Sequence, residues 1–300
     1  MKALVFGSLN IDHVYKMNHF VQPGETISSQ DLQLFCGGKG LNQSVALARS
    51  GVETWHAGAV GLNDSDMLIK QLQEAEVRTE LIRKKEGPSG HAVIQTTPEG
   101  ENSIILYGGA NQKITEEEVD CALSHFTRGD VLVLQNEINQ IPYIMEKAYG
   151  IGMTIVLNPS PMDEKIFHMP LSFVDYFILN EVEGAIMSGV SHKDSQEILE
   201  ALMKRFPNSR IVLTLGKEGA VYGDRKKRCY QPIYPVKTVD TTAAGDTFTG
   251  FFMGSVIQGM SVEEALDTAA LASSMAVSRK GASPSIPTWG EVSEWRKDKR

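Results

Sequence analysis

The segment from Asp240 to Gly250, Asp-Thr-Thr-Ala-Ala-Gly-Asp-Thr-Phe-Thr-Gly, joins two carboxylates through a turn of small residues to the apolar run Phe251, Phe252, Met253 and Val256, which reads as a helix. Small residues let backbone N–H groups at a helix N-terminus approach an anion closely. Asp246 falls in the first turn of that helix. There a carboxylate can take a proton from an attacking hydroxyl while neighbouring amides stabilise charge building on a transferred phosphoryl group. A carboxylate in the same place is also an ordinary helix cap, and spacing alone leaves both readings open.

Other segments carry weaker versions of the same ambiguity. Asn10 and Asp12 follow the opening apolar run, Lys2 to Gly7. An amide and a carboxylate at the C-terminal edge of a sheet suit vicinal hydroxyls, but both residue types also form turns. Gly37-Gly38-Lys39-Gly40-Leu41-Asn42-Gln43 precedes a helical pattern. It lacks the G-x-x-x-x-G-K-[ST] register, so Lys39 is not a P-loop lysine. Asn180-Glu-Val-Glu183 opens a helix directly after the strand-like Phe177 to Leu179, where N-x-x-E is equally a capping box. Thr214-Leu-Gly-Lys-Glu-Gly219 follows another strand, and its two glycines permit close backbone approach, as they would in any loop. The seven histidines are scattered, so His56 and His125 are expected in the core or on the surface rather than as ligands, and the twelve methionines as core filler. Arg225-Lys-Lys-Arg228 is too short for a nucleic-acid footprint and is expected as a solvated turn.

The elements that would position these residues follow from the apolar pattern. Val131–Leu134, Thr154–Leu157, Phe177–Leu179 and Ile211–Leu213 are near-continuous apolar runs separated by helix-length polar stretches, the signature of a parallel sheet covered on both faces. Helices are expected after Gly40, ending at Gly51, and from Thr115 and Ser261, where Thr-x-x-Glu and Ser-x-x-Glu form capping boxes. The second runs from Val262 toward Arg279. Two segments break the rhythm. Residues 10–35 hold strand-like pieces around a Pro23-Gly24 turn, and residues 90–108 read as a hairpin, His91–Thr96 and Asn102–Tyr107 around Pro98-Glu99-Gly100. The expectation is one α/β domain over 1–300, a doubly wound, mostly parallel sheet with helices on both faces, carrying a small β-sheet lid built from these two insertions.

The 29 Lys and Arg against 37 Asp and Glu leave a formal charge of -8, which disfavours nucleic acid as a partner. The same sign opposes any phosphorylated ligand, so a phosphate site would draw on helix N-termini, backbone amides and a divalent cation. Three cysteines without CxxC or Cys/His spacing fit a reduced cytoplasm. Apolar runs stay too short to span a membrane.

Taken in order, Gly7-Ser8-Leu9-Asn10-Ile11-Asp12, Pro23-Gly24-Glu25-Thr26, the segment 37–43, Asn158-Pro159, Asn180–Glu183, Thr214–Gly219, the segment 240–250 and Arg279-Lys-Gly-Ala-Ser-Pro-Ser285 resemble the ribokinase family of PfkB-type carbohydrate kinases over nearly the whole chain. The resemblance implies an ATP- and Mg²⁺-dependent sugar kinase. In it Asp246 is the base, and the amides of Ala243, Ala244 and Gly245 form an anion hole. Asn10, Asp12, Gly38, Lys39, Asn42 and Glu137 would bind the sugar. Asn180 and Glu183 would organise Mg²⁺ near the nucleotide phosphates. Thr214, Gly216 and Gly219, with Gly245 and the helix from Val262, would wall the ATP site. K⁺ would be held by the Asp240 side chain, the carbonyls of Thr242, Ala276, Arg279 and Gly281, and the Ser285 hydroxyl. The family pattern has glycine where this chain has Ala243.

The resemblance makes D-ribose, yielding ribose 5-phosphate, the leading acceptor. Deoxyribose, fructose or another ketose, and nucleosides are the alternatives. The lid would decide, with His91, Val93 and Ile105 as candidate selectivity positions, and a homodimer through the lid would cover its exposed strands. Two rivals make contrary demands. A Rossmann oxidoreductase requires G-x-G-x-x-G after the first strand, where only Gly7 occurs. A non-catalytic sugar-binding regulator predicts loss of Asp246 or its turn, yet Asp246, Gly245, Asn180 and Glu183 are present.

Overall fold

A computed structural model describes residues 1–190 and 194–298. Strand β1 (Ala3–Phe6) leads into β2 (Asn10–Lys16), which returns through the Pro23-Gly24 turn as β3 (Asp31–Gly37). Helix α1 (Lys39–Arg49) starts inside the glycine-rich segment and stops before Gly51, whose φ of 94° reverses the chain. The next unit is β4 (Thr54–Gly61), α2 (Asp66–Glu74) and β5 (Arg78–Lys85), followed by the hairpin β6 (Gly90–Thr96) and β7 (Asn102–Tyr107). Alternation then sets in with α3 (Glu116–Leu123), β8 (Val131–Leu134), α4 (Ile141–Ile151), β9 (Thr154–Leu157) and β10 (Tyr176–Asn180). It continues through α5 (Glu181–Ser188), α6 (Ser195–Arg205) and β11 (Arg210–Thr214). Strands β12 (Ala220–Gly223) and β13 (Arg228–Gln231) and helices α7 (Ala244–Ile257), α8 (Val262–Val277) and α9 (Trp289–Asp298) complete the chain.

The main sheet has nine strands in the order β13-β12-β11-β10-β9-β8-β1-β4-β5, parallel from β11 to β5, with β12 and β13 added antiparallel. The apolar runs behave as the pattern requires. Alternate residues of one strand enter different cores: Val131 and Val133 join the layer formed with α1, α7 and α8, whereas Leu132 and Leu134 join the layer with α3, α4 and α6. Strand order reverses at β1, between β4 and β8, and such a switch point leaves a crevice at the C-terminal strand ends.

Helix α7 is held against α1 at close range. A Cβ at Gly250 would lie 2.3 Å from that of Ala46, and one at Gly254 would lie 1.9 Å from Ser50 Oγ. This contact fixes the 37–43 segment relative to Asp246. The buried rings of Phe251 and Phe252 anchor the opposite side of α7, where truncating either to alanine costs ~3–5 kcal/mol.

The lid is a separate sheet in the order β3-β2-β6-β7. It draws β2 and β3 from residues 10–37 and β6 and β7 from residues 90–107, and β7 is exposed along its whole length. Both expected capping boxes form, Thr115 with Glu118 and Ser261 with Glu264. Three strands had no clear sequence signal. β5 reads as charged, and β12 and β13 are short; β13 is a polar edge strand. The basic run 225–228 is a turn that leads into β13, but it is not merely solvated. Arg225 donates to the Pro207 carbonyl and Arg228 pairs with Glu200 at 2.9 Å.

Candidate active site

A cleft of about 250 Å³ opens at the C-terminal ends of β9, β10 and β11, lined by Lys39, Asn158, Asn180, Glu183, Thr214 and the turn Ala243–Asp246. Residues drawn from five separate sequence segments therefore meet at the C-terminal edge of the parallel sheet, on the β9–β11 side of the switch point.

Asp246 sits in the first turn of α7 and is 7% exposed. Its two oxygens are held by different amides: Asn42 Nδ2 donates to Oδ2 at 3.0 Å and Gln43 Nε2 to Oδ1 at 2.9 Å. The residue is thus no simple N-cap. That position belongs to Ala243, which has no side-chain cap and adopts a left-handed conformation, φ 60° and ψ 10°. A non-glycine residue in this region costs ~1 kcal/mol, so the departure from glycine noted in the sequence has a definite backbone consequence. One expectation needs adjusting. The Ala244 amide donates to the Thr241 carbonyl at 3.2 Å, closing the turn. In this conformation the amides of Ala243 and Gly245, and not that of Ala244, are without a partner among the described residues.

On the side of β1 and β2, Glu137 Oε2 accepts from the Lys39 backbone amide at 2.9 Å and from the Ser8 hydroxyl. Burial raises the Glu137 carboxyl above its ordinary range, outweighing the Ser8 and Lys39 contacts. Burial, reinforced by the charge of Glu137, raises Asp12 to about 7. Gly37 leaves room for that carboxylate, since a Cβ there would lie 2.1 Å from Asp12 Oδ2. Burial would lower the Lys39 ammonium, but the fields of Asp246, Glu137 and Glu183 outweigh it and raise the group, so Lys39 stays cationic. Asn10 Oδ1 accepts from Asn111 at 2.7 Å. Asn42 Oδ1 is buried with no partner among the described residues.

Across the cleft, Asn180 and Glu183 form a reciprocal capping box. Asn180 Oδ1 accepts the Glu183 amide at 2.9 Å, and Glu183 Oε2 accepts the Asn180 amide at 3.0 Å. The structural and the functional readings are therefore compatible, because the Asn180 Nδ2 and Glu183 Oε1 atoms stay available. Thr214 lines the cleft, whereas Gly216 and Gly219 lie beyond its lining in the following loop, at φ 55° and 105°. Asp240 Oδ1 accepts from the Thr242 amide and hydroxyl, and Oδ2 from the Gly281 amide. Burial raises its carboxyl, but these contacts outweigh it and hold the group below the carboxylate range. They tie Asp240, Thr242 and Gly281 together. Ala276 and Arg279 share the turn at the end of α8. Ser285 is buried and its hydroxyl donates to the Ala282 carbonyl at 2.7 Å.

The lid corrects one expectation. His91, Val93 and Ile105 share a face with Ile11 and His13, while Asn10 and Asp12 lie on the other face with Ala92, Ile94 and Leu106. Strand alternation places the three anticipated positions away from Asp12. Gln135 and Asn111 went unnoticed in the sequence because no local pattern marks them, and Gln43 and Asn158 were visible only as members of longer motifs.

The pfkB family carbohydrate kinase profile matches residues 1–289 of the chain. Ribokinase of Staphylococcus aureus (strain COL) is 33% identical over 98% of this chain and 99% of its own length. The crystal structure of ribokinase from Cryptococcus neoformans var. grubii serotype A in complex with ADP superposes with a TM-score of 0.85 at 33% identity, covering 98% and 99% of the two chains. That of Arabidopsis thaliana ribokinase complexed with ribose and ATP gives 0.87 at 29% identity, covering 98% and 97%.

Proposed function

The chain belongs to the pfkB family of carbohydrate kinases, and on that premise we propose that it transfers the γ-phosphoryl group of ATP to the 5-hydroxyl of D-ribose, giving ribose 5-phosphate and ADP. The observation that carries this reading is the buried Asp246 in the first turn of α7, gripped by Asn42 and Gln43, beside Lys39 and opposite Asn180 and Glu183 in one cleft.

Asp246 takes the hydroxyl proton as the sugar oxygen attacks the γ-phosphorus. A new P–O bond forms while the bond to the β–γ bridging oxygen breaks, and ADP leaves with that electron pair. The free amides at the start of α7 and the Lys39 ammonium face the charge that develops on the transferred group. Asn10, Asp12, Glu137 and Asn42 hold the sugar hydroxyls and fix which oxygen meets the phosphorus. Thr214 and the loop through Gly219 border the nucleotide.

Among the described residues no three His, Cys, Asp or Glu are grouped to hold a metal. Asn180 and Glu183 would thus hold Mg²⁺ largely through water and phosphate oxygens, where it would neutralise charge on the phosphates. The oxygens of Asp240, Thr242, Ala276, Arg279, Gly281 and Ser285 suit K⁺, which would steady the turn preceding α7. The half-exposed apolar residues of β7, Ile104 to Tyr107, support a homodimer joined through the lid. The cysteines are all free and no described helix is long and apolar enough to cross a membrane, which supports a cytoplasmic site of action.

The test is a coupled ADP-release assay with Mg-ATP and K⁺ across ribose, deoxyribose, arabinose, fructose and nucleosides. D-Ribose is expected to stand above the rest in kcat/KM. A different acceptor on top would reassign the substrate. Sugar binding by calorimetry without ADP release would point to a non-catalytic role.

A further inference from the structure

Behind Asp246 a line of amides runs from the cleft wall at Asn158 through Gln43 to Gln135. The Ile178 carbonyl can only accept, and Asn158 Nδ2 donates to it at 2.9 Å. That contact turns Asn158 Oδ1 toward Gln43, whose Nε2 donates to it at 3.1 Å and to Asp246 Oδ1 at 2.9 Å. The remaining Gln43 atom, Oε1, accepts from Gln135 Nε2 at 2.7 Å. Every amide orientation is therefore dictated by its neighbour, beginning from a backbone carbonyl that cannot reverse its role. Flipping Gln43 would set its oxygen against the Asp246 carboxylate and the Asn158 oxygen together. Gln43 is fully buried and Gln135 nearly so, and in such surroundings a misdirected or missing hydrogen bond costs ~1–3 kcal/mol.

We propose that Gln43 is a positioning residue for phosphoryl transfer: its side-chain amide, oriented by Asn158 and Gln135, holds the Asp246 carboxylate turned to the cleft as the acceptor of the substrate proton. The line runs between the ends of β8, β9 and β10, so the sugar half and the nucleotide half of the cleft share one polar support. This inference rests on the reading of Asp246 as the base. The charge of Asp246 acts on Lys39 of α1 and on Glu137 beyond β8, and the variants below leave both of these residues unchanged.

The full chain is assayed with its best acceptor and Mg-ATP from pH 5 to 9, as wild type, Gln43→Glu and Asp246→Asn. Gln43→Glu is isosteric and sets a second carboxyl within hydrogen-bond reach of Asp246, so the pair must share a proton. The expected result is a shift of the acidic limb of the kcat profile upward by about one pH unit or more, with kcat at pH 7 lowered about tenfold or more and sugar KM within about threefold. An unmoved limb and near-normal kcat, with Asp246→Asn inactive, would overturn the positioning role alone. An active Asp246→Asn would instead sink the reading of the base. Should thermal melting show Gln43→Glu unfolded, Gln43→Met, Gln135→Met and the double variant decide. Gln135 acts through Gln43, so the double variant should be no slower than Gln43→Met, and additive losses would overturn the proposal.

Discussion

In the nine-stranded sheet the polar residues at the strand ends hold one another. Asp246 is gripped by two amides, Asn180 and Glu183 satisfy each other, and Asp240 gathers three donors. In the four-stranded sheet β7 is exposed along its length, and the Asp12 carboxyl is displaced upward by burial and the charge of Glu137 without a hydrogen bond among the described residues to offset it. The difference follows from layering. The main sheet is packed on both faces, so each strand end is fixed by two cores, whereas the four-stranded sheet leaves its β7 edge exposed.

The largest effect expected from this contrast is in the rigid half. Asp246→Asn should lower kcat by roughly 10²–10⁴-fold while the Kd for ATP, read by calorimetry, moves by less than about threefold. A comparable loss of ATP affinity would mean that Asp246 shapes the cleft instead of serving the reaction. In the lid, Ile105→Lys should convert a dimer to a monomer in light scattering and raise the sugar KM about tenfold, with the melting temperature of the main sheet little changed. An unchanged mass would remove the second copy from the account.

The Asp12 carboxyl sharpens the comparison through pH. Raised to about 7, it is protonated below that value, and only its ionised form accepts two sugar hydroxyls. Sugar KM should therefore fall as pH rises from 6 to 8, by up to about tenfold for each unit below 7. Asp12→Asn should bind more weakly with a flat profile over that range, and a profile unchanged by the substitution would assign the titration elsewhere. The smallest effect is expected at Ala243. Ala243→Gly relieves a left-handed alanine but frees the unfolded chain, two opposing terms of ~1 kcal/mol each. The melting temperature should shift by no more than a few degrees and kcat by less than about threefold. A large loss of stability would show that the methyl group makes contacts that outweigh its strain.

Much of this architecture was legible in the residue pattern. The parallel strands announce themselves because burial on both faces demands near-continuous apolar runs, and the capping boxes at Thr115, Asn180 and Ser261 are local hydrogen-bond arrangements that two residues three positions apart can specify. The charged β5 and the polar β13 were not legible, since partners distant in sequence, not their own side chains, make them strands. Gly37 to Gln43 and Asp240 to Gly250 were marked as chemistry by composition, but nothing in either predicts that Gln43 reaches across 203 positions to Asp246.

Periodicity, turn chemistry and capping act over a few residues, so the fold class and the residue types available for phosphoryl transfer were readable along the chain. Only the tertiary structure decided which lid face looks toward Asp12, which amides at the start of α7 are free, and which side chains orient Asp246. Those outcomes depend on strand pairing and on the close contact of α1 with α7, interactions between segments far apart in the chain that no local pattern encodes.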